Sequence, residues 1–160
     1  MKGEFHPGAN VLRLLLRQQA MIRRLVRRYR AARCARSLEA QESLRLGRVF
    51  GAAVGLHLRL QEEILYPAVR RLLREDPGLL DGLIAEHGAL SRLLAELDEA
   101  PPDALLSGVR LAVLSDRLDH FFDRERDQLF PRLDSLALDL RALSRLMLHR
   151  RHALRAVSAV

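Results

Sequence analysis

Residues 57–67 read His-Leu-Arg-Leu-Gln-Glu-Glu-Ile-Leu-Tyr-Pro, and residues 120–131 read His-Phe-Phe-Asp-Arg-Glu-Arg-Asp-Gln-Leu-Phe-Pro. Each copy has a His, a Glu five residues later, and then Leu, an aromatic and Pro. His57 and Glu62 are offset by 63 positions from His120 and Glu125, whereas the Leu-aromatic-Pro ends are offset by 64. The second copy thus carries one extra residue between Glu and Pro. Two such stretches in one chain predict a pseudo-twofold core built from imidazole and carboxylate.

Around them the apolar residues step by three and four, the period of an amphipathic helix. A first helix should start after Pro7, with the stripe Leu12, Leu15, Ile22, Val26 and Tyr29. Ser37 suits the N-cap of a second helix reaching about Arg74, striped by Phe50, Val54, Ile64 and Ala68, with a kink or break at Pro67. Asp76-Pro77-Gly78 makes a turn into a third helix ending near Glu99, striped by Leu83, Leu90, Leu94 and Leu97. Asp103 can cap a fourth, which carries Leu111, Leu114, Leu118 and Phe121 up to Pro131. A Leu- and Arg-rich segment from about Asp139 forms a last helix. Short connections between four long helices imply an all-α, up-down-up-down four-helix bundle. Residues 1–160 read as one domain, with a core of about 7–133 and an additional C-terminal helix over about 139–158.

The polar gaps in these stripes carry the chemical information. Gln19 lies between Leu15 and Ile22, His57 and Gln61 between Val54 and Ile64, His87 between Leu83 and Leu90, and Glu125 four residues after Phe121. An unpartnered polar group in a core costs about 1–3 kcal/mol, so these residues should meet one another or a shared metal. Gln19 and Gln61 read as hydrogen-bonded core amides. His6, His149 and His152 fall outside the stripes and read as surface residues, and Cys34 reads as a spectator thiol. Asp116, one turn before His120, could orient it, though an exposed carboxylate is the simpler reading.

Composition narrows the classes further. Trp is absent and aromatics are 4%, which disfavours an all-β fold. One Cys precludes an internal disulfide and suits a cytoplasmic setting. No apolar run reaches the ~18 residues of a membrane span, and the N-terminus has no secretory leader pattern. Charge is segregated: residues 1–36 hold ten Lys/Arg and one acid, residues 37–140 twelve basic and nineteen acidic residues, and residues 141–160 five Arg and no acid. The basic ends could attract an acidic partner, but a solvated Arg face is the plainer reading. No motif with stacking aromatics points to nucleic acid.

The chain resembles the hemerythrin-like, or HHE (His-His-Glu) cation-binding, family. The resemblance rests on His57–Pro67, Glu86-His87-Gly88-Ala89-Leu90, His120–Pro131 and the closing Asp139-Leu140…Met147…Arg150-Arg151 segment. It implies a four-helix bundle holding two bridged non-haem irons, with oxygen binding or the sensing of oxygen, iron or redox state. Imidazole and carboxylate suit iron. Carried over residue by residue, the metal ligands are His57, His87, His120 and Glu125, with Glu62 in reserve. The sequence departs from the family at Gln19, where the first helix normally supplies His, and at Gln61, where His-x-x-x-Glu would end in Glu. Counted back from Pro131, Glu125 takes the family Glu position but Phe121 takes that of the His; counted from His120, the fourth residue is Arg124. A helical bulge could reunite His120 with Glu125.

Two functions follow. The first is a non-enzymatic metal-binding domain with mono- or dinuclear non-haem iron at a degenerate site, for oxygen, redox or iron sensing or binding, with dioxygen or another small diatomic as ligand. The second is a metal-free interaction module whose basic first helix and Arg-rich last helix contact an acidic partner or nucleic acid. Peroxide or nitric oxide chemistry has no residue signature beyond the same site.

Overall fold

The computed structural model describes residues 11–34, 40–74, 76–99, 104–136 and 138–158. The expected helix start after Pro7, the Ser37 and Asp103 caps, and His6 lie outside these residues. Helices α1 (Val11–Cys34), α2 (Ala40–Leu60), α4 (Pro77–Glu99) and α5 (Ala104–Arg124) form the bundle. Contacts run α1 to α2, α2 to α4, α4 to α5, and α5 back to α1, which closes the expected up-down-up-down ring. The described residues contain no strand.

The predicted stripes are the core. Leu12, Leu15, Ile22, Val26, Tyr29, Phe50, Val54, Leu83, Leu90, Leu94, Leu111, Leu114, Leu118 and Phe121 are all buried, and Ile64, Ala68 and Leu97 pack partly buried against them. Close approach of α2 to α4 uses glycine. A Cβ on Gly55 would sit 3.4 Å from Leu94, and one on Gly51 3.5 Å from Asp98 and 3.6 Å from Leu94. The α1–α5 seam is laced by Arg23, which donates to Asp119 at 2.9 Å and Asp123 at 2.8 Å, and by Arg30 on Asp116 at 2.7 Å. These pairs are solvated, so each contributes about 0–1 kcal/mol.

Two helices do not run on as the periodicity alone predicts. α2 passes into a π-helical turn, π1 (Gln61–Leu65), and then α3 (Tyr66–Arg70); α5 passes into π2 (Glu125–Leu129) and then α6 (Phe130–Ser135). Pro67 and Pro131 explain both. A proline has no N–H to give its i−4 carbonyl, and its ring collides with that carbonyl in a regular helix. Widening the preceding turn by one residue removes the collision. The Tyr66 N–H then reaches the Gln61 carbonyl, and the Phe130 N–H the Glu125 carbonyl. Each proline sits in the first turn of the short helix that follows, where its missing donor is not needed. Thus the irregularity expected at Pro67 takes the form of a π turn just before it, and Pro131 does not end its helix, which runs to Ser135.

The last helix, α7 (Leu140–Ser158), begins where Asp139 Oδ1 accepts from the Arg141 and Ala142 N–H groups, an N-cap. It packs over α1, α2 and π1, burying Leu143 and Met147, and Arg150 donates to both oxygens of Glu63 at 2.6 and 3.0 Å. No described helix is long and apolar enough to cross a membrane.

Leu114→Ala, at a position with no exposed surface, is expected to cost about 2–5 kcal/mol in a denaturant titration. Val113→Ala next to it, on a side chain 42% exposed, should stay within about 0.5 kcal/mol of the parent.

Candidate functional site

Glu125 is the one buried carboxyl among the described residues, with 0% exposure at the start of π2. Gln19 of α1 donates its amide to Oε2 at 2.8 Å, and Gln61 at the start of π1 donates to Oε1 at 2.7 Å. The Tyr66 hydroxyl lies close enough to influence this carboxyl but makes no hydrogen bond of normal geometry. Burial pushes the Glu125 pKa up to about 8, against the opposing pull of the Gln61, Tyr66 and Gln19 contacts. The same burial, with Glu125 nearby, raises Tyr66 well above its ordinary value.

An amide suits this position because it can face either protonation state. Its N–H donates to an ionised carboxylate, and after rotating by 180° its oxygen accepts from a protonated one. Gln61 Oε1 has no partner in the orientation seen, so it is free to take that second role.

One turn earlier on α2, His57 is fully buried, its Nδ1 2.9 Å from Gln18 Oε1. Since the amide oxygen can only accept, Nδ1 carries the proton, and Nε2 is an unpartnered lone pair. Desolvation, then the neighbouring His87, lowers the His57 pKa to about 3, so the ring is neutral throughout the physiological range. His87 Nε2 lies 2.7 Å from the Leu58 carbonyl and must donate to it. The two imidazoles are wedged among rings: His57 meets Phe122 edge-on at 5.3 Å, and His87 meets Tyr66 at 5.4 Å and Phe121 at 6.4 Å.

The expected ligands are therefore divided. His57, His87 and Glu125 are inside, on α2, α4 and π2. Glu62 and His120 are outside. Glu62 is rotated off the core face by its place next to Gln61. His120 is exposed, its Nδ1 turned back to the Asp116 backbone carbonyl at 2.8 Å, while the Asp116 carboxylate holds Arg30 instead of His120. The anticipated bulge exists but starts at Glu125, downstream of His120, so it cannot swing His120 inward. The π turns begin at Gln61 and Glu125, 64 residues apart, which makes Phe121 the counterpart of His57. Gln18 and Tyr66 were not singled out from the sequence. A second Gln beside Gln19 in an apolar stripe was the available signal for Gln18; nothing short of the π turn marked Tyr66. His149 and His152 are exposed, as expected.

The sequence matches the model of the hemerythrin HHE cation binding domain over residues 10–133, and the chain belongs to that family. Neither a curated protein nor a solved structure matches it. The family implies a metal, so the donor set has to be measured against one. Two bridged irons call for several imidazoles and carboxylates aimed at a common point. Here amides stand at positions 19 and 61 and a phenyl ring at 121. Both Glu125 oxygens already accept from amides, and His87 Nε2 is engaged by backbone. No three His, Cys, Asp or Glu side chains among the described residues are grouped so as to hold a metal ion. The residues do not fit a bridged di-iron centre.

The two shifted groups set a pH dependence. The folded state keeps the Glu125 proton to about pH 8, against 4.5 ordinarily. Its contribution to stability is full below pH 4.5 and is lost as pH rises towards 8. The folded value of His57, about 3, lies below 6.5, so its contribution is full above pH 6.5 and is lost as pH falls. The slopes oppose each other between 4.5 and 6.5, and Glu125 acts alone from 6.5 to 8. Denaturant midpoints should therefore fall across pH 6.5–8, by about 2 kcal/mol in stability. Glu125→Gln should flatten that limb, and a limb unchanged in the variant would place the titrating group elsewhere.

Proposed function

We propose that this chain is a non-enzymatic hemerythrin-fold module that works without bridged irons and binds an acidic protein partner through its basic helices. The observation that carries the reading is the pair of amides closed on Glu125. Sensing oxygen, redox state or iron at an iron centre requires anionic and imidazole donors that this core replaces with neutral groups. Both oxygens of this buried carboxyl already accept hydrogen bonds from neutral amides, which a cation would have to displace.

What remains distinctive is outside. α1 contains eight Arg and no acid, α7 contains five Arg and no acid, and the two helices lie against each other. Arg23, Arg30 and Arg150 are paired with carboxylates, whereas Arg17, Arg24, Arg27, Arg28, Arg141 and Arg145 are exposed and form no ion pair among the described residues. Such a field steers an acidic partner and sets the rate of encounter. The only Phe, Tyr or Trp on either helix is Tyr29, which is buried, so no ring is available for base stacking.

Protein isolated from iron-replete medium should contain far less than one iron per chain and show no charge-transfer absorption. Two irons per chain would overturn the proposal. Binding to an acidic polypeptide should weaken steeply with salt, and by about tenfold in the double variant Arg24→Glu, Arg28→Glu. Tighter binding to duplex DNA than to the polypeptide would replace the acidic protein with nucleic acid.

A further inference from the structure

We infer that the groove between α7 and the π1–α3 segment is the docking site for an acidic amphipathic helix of the partner protein. This inference rests on the proposed acidic partner and locates where that partner's apolar side chains go. The groove has a volume of about 450 Å³ and is lined by Ile64, Ala68 and Leu146 together with Glu63, Arg71 and Arg150.

Three observations carry it. First, Leu146 is 57% exposed although its helix neighbours Leu143 and Met147 are buried. α7 is therefore anchored on one face while it presents a leucine to solvent on the next, so the groove is preformed and little ordering is needed on binding. Second, the charge around the groove is one-sided. The one acid there, Glu63, is already held by Arg150 at 2.6 Å, with Arg59 at 3.9 Å, while Arg71 is exposed and forms no ion pair among the described residues. An apolar lining beside the exposed Arg71 complements apolar anchors flanked by Asp or Glu. Third, the groove is walled by two parts of the chain, π1–α3 within residues 10–133 matched by the family and α7 beyond them, so neither part forms it alone. A helix is the fitting occupant because the described surface offers helical grooves and no strand edge. Such grooves take residues spaced i, i+3, i+4 and i+7 from one face of a partner helix.

The test uses the full chain and a labelled synthetic helix with Leu at i, i+3 and i+7 and Glu at the flanking positions, compared with a scrambled peptide of the same composition. Fluorescence anisotropy should show saturable binding of the designed helix in preference to the scrambled one. Leu146→Glu and Arg71→Glu should each weaken it about tenfold. Val109→Glu, on α5 at the same 57% exposure, should leave it unchanged, with circular dichroism melts checking that all variants fold. Equal affinity for the two peptides, or equal losses in all three variants, would overturn the groove. Binding that survives Leu146→Glu but is lost in the Arg24→Glu, Arg28→Glu variant would overturn the groove while the acidic-partner reading stands. No binding of any acidic peptide would overturn both. A concentration-dependent dimer abolished by Leu146→Glu would seat a second copy in the groove and overturn the partner helix.

Discussion

A carboxyl group sealed inside a helical bundle must be neutralised, hydrogen-bonded or both, and the core of this protein is arranged around that requirement. Glu125 reaches the interior from π2, Gln19 from α1 and Gln61 from π1, so three separate stretches of chain meet at two oxygen atoms. An unpaired carboxylate in that position would cost far more than one hydrogen bond returns. The amides lower the cost by accepting either protonation state, and protonation lowers it further at neutral pH. Removing one amide would strip a donor from a carboxyl with no exposed surface. The packing of α1 against α5 and of α2 against α5 is thereby tied to one side chain.

The prolines make this geometry repeatable. Pro67 and Pro131 each force one widened turn, and each widened turn begins on a residue that points inward, Gln61 in one case and Glu125 in the other. A π turn alters the direction in which successive side chains leave the helix. The two inward residues therefore face each other across the bundle, as the 2.7 Å contact between them shows. The pseudo-twofold likeness of the two stretches thus has a backbone cause, which persists although the side chains at the equivalent positions now differ. One copy places an imidazole, His57, and an amide, Gln61, at these positions; the other places a phenyl ring, Phe121, and a carboxylate, Glu125.

This explains which parts of the molecule could be read from the sequence. The stripes from Leu12 to Tyr29 and from Leu83 to Leu94 were legible because burial follows the helix period, and that period is written in the residues themselves. Gln19 and Gln61 were legible as partnered core amides because burial of an amide demands a partner. His120 misled because it opens a stretch that repeats the His and the Glu of His57–Glu62 at the same spacing. Alignment from the His end gives an offset of 63, whereas the backbone follows the prolines and their offset of 64. The direction of a side chain near a π turn depends on where the extra residue is absorbed, and helical periodicity does not encode that. Gln18 was passed over for a related reason: its role is to satisfy His57 Nδ1, a contact between two helices that no spacing within α1 foretells.

The exchange of charged donors for amides also changes what the bundle can respond to. A core that binds a divalent cation couples its packing to metal supply and redox state. Within the cluster of Gln19, Gln61 and Glu125 the exchangeable group is the Glu125 proton, whose pKa burial pushes up to about 8. α7, anchored through Leu143, Met147 and the Arg150–Glu63 pair, lies directly on π1, whose first residue holds Glu125. The turn that connects this outer face to the buried carboxyl is therefore π1, and the polar core fixes the position of that turn.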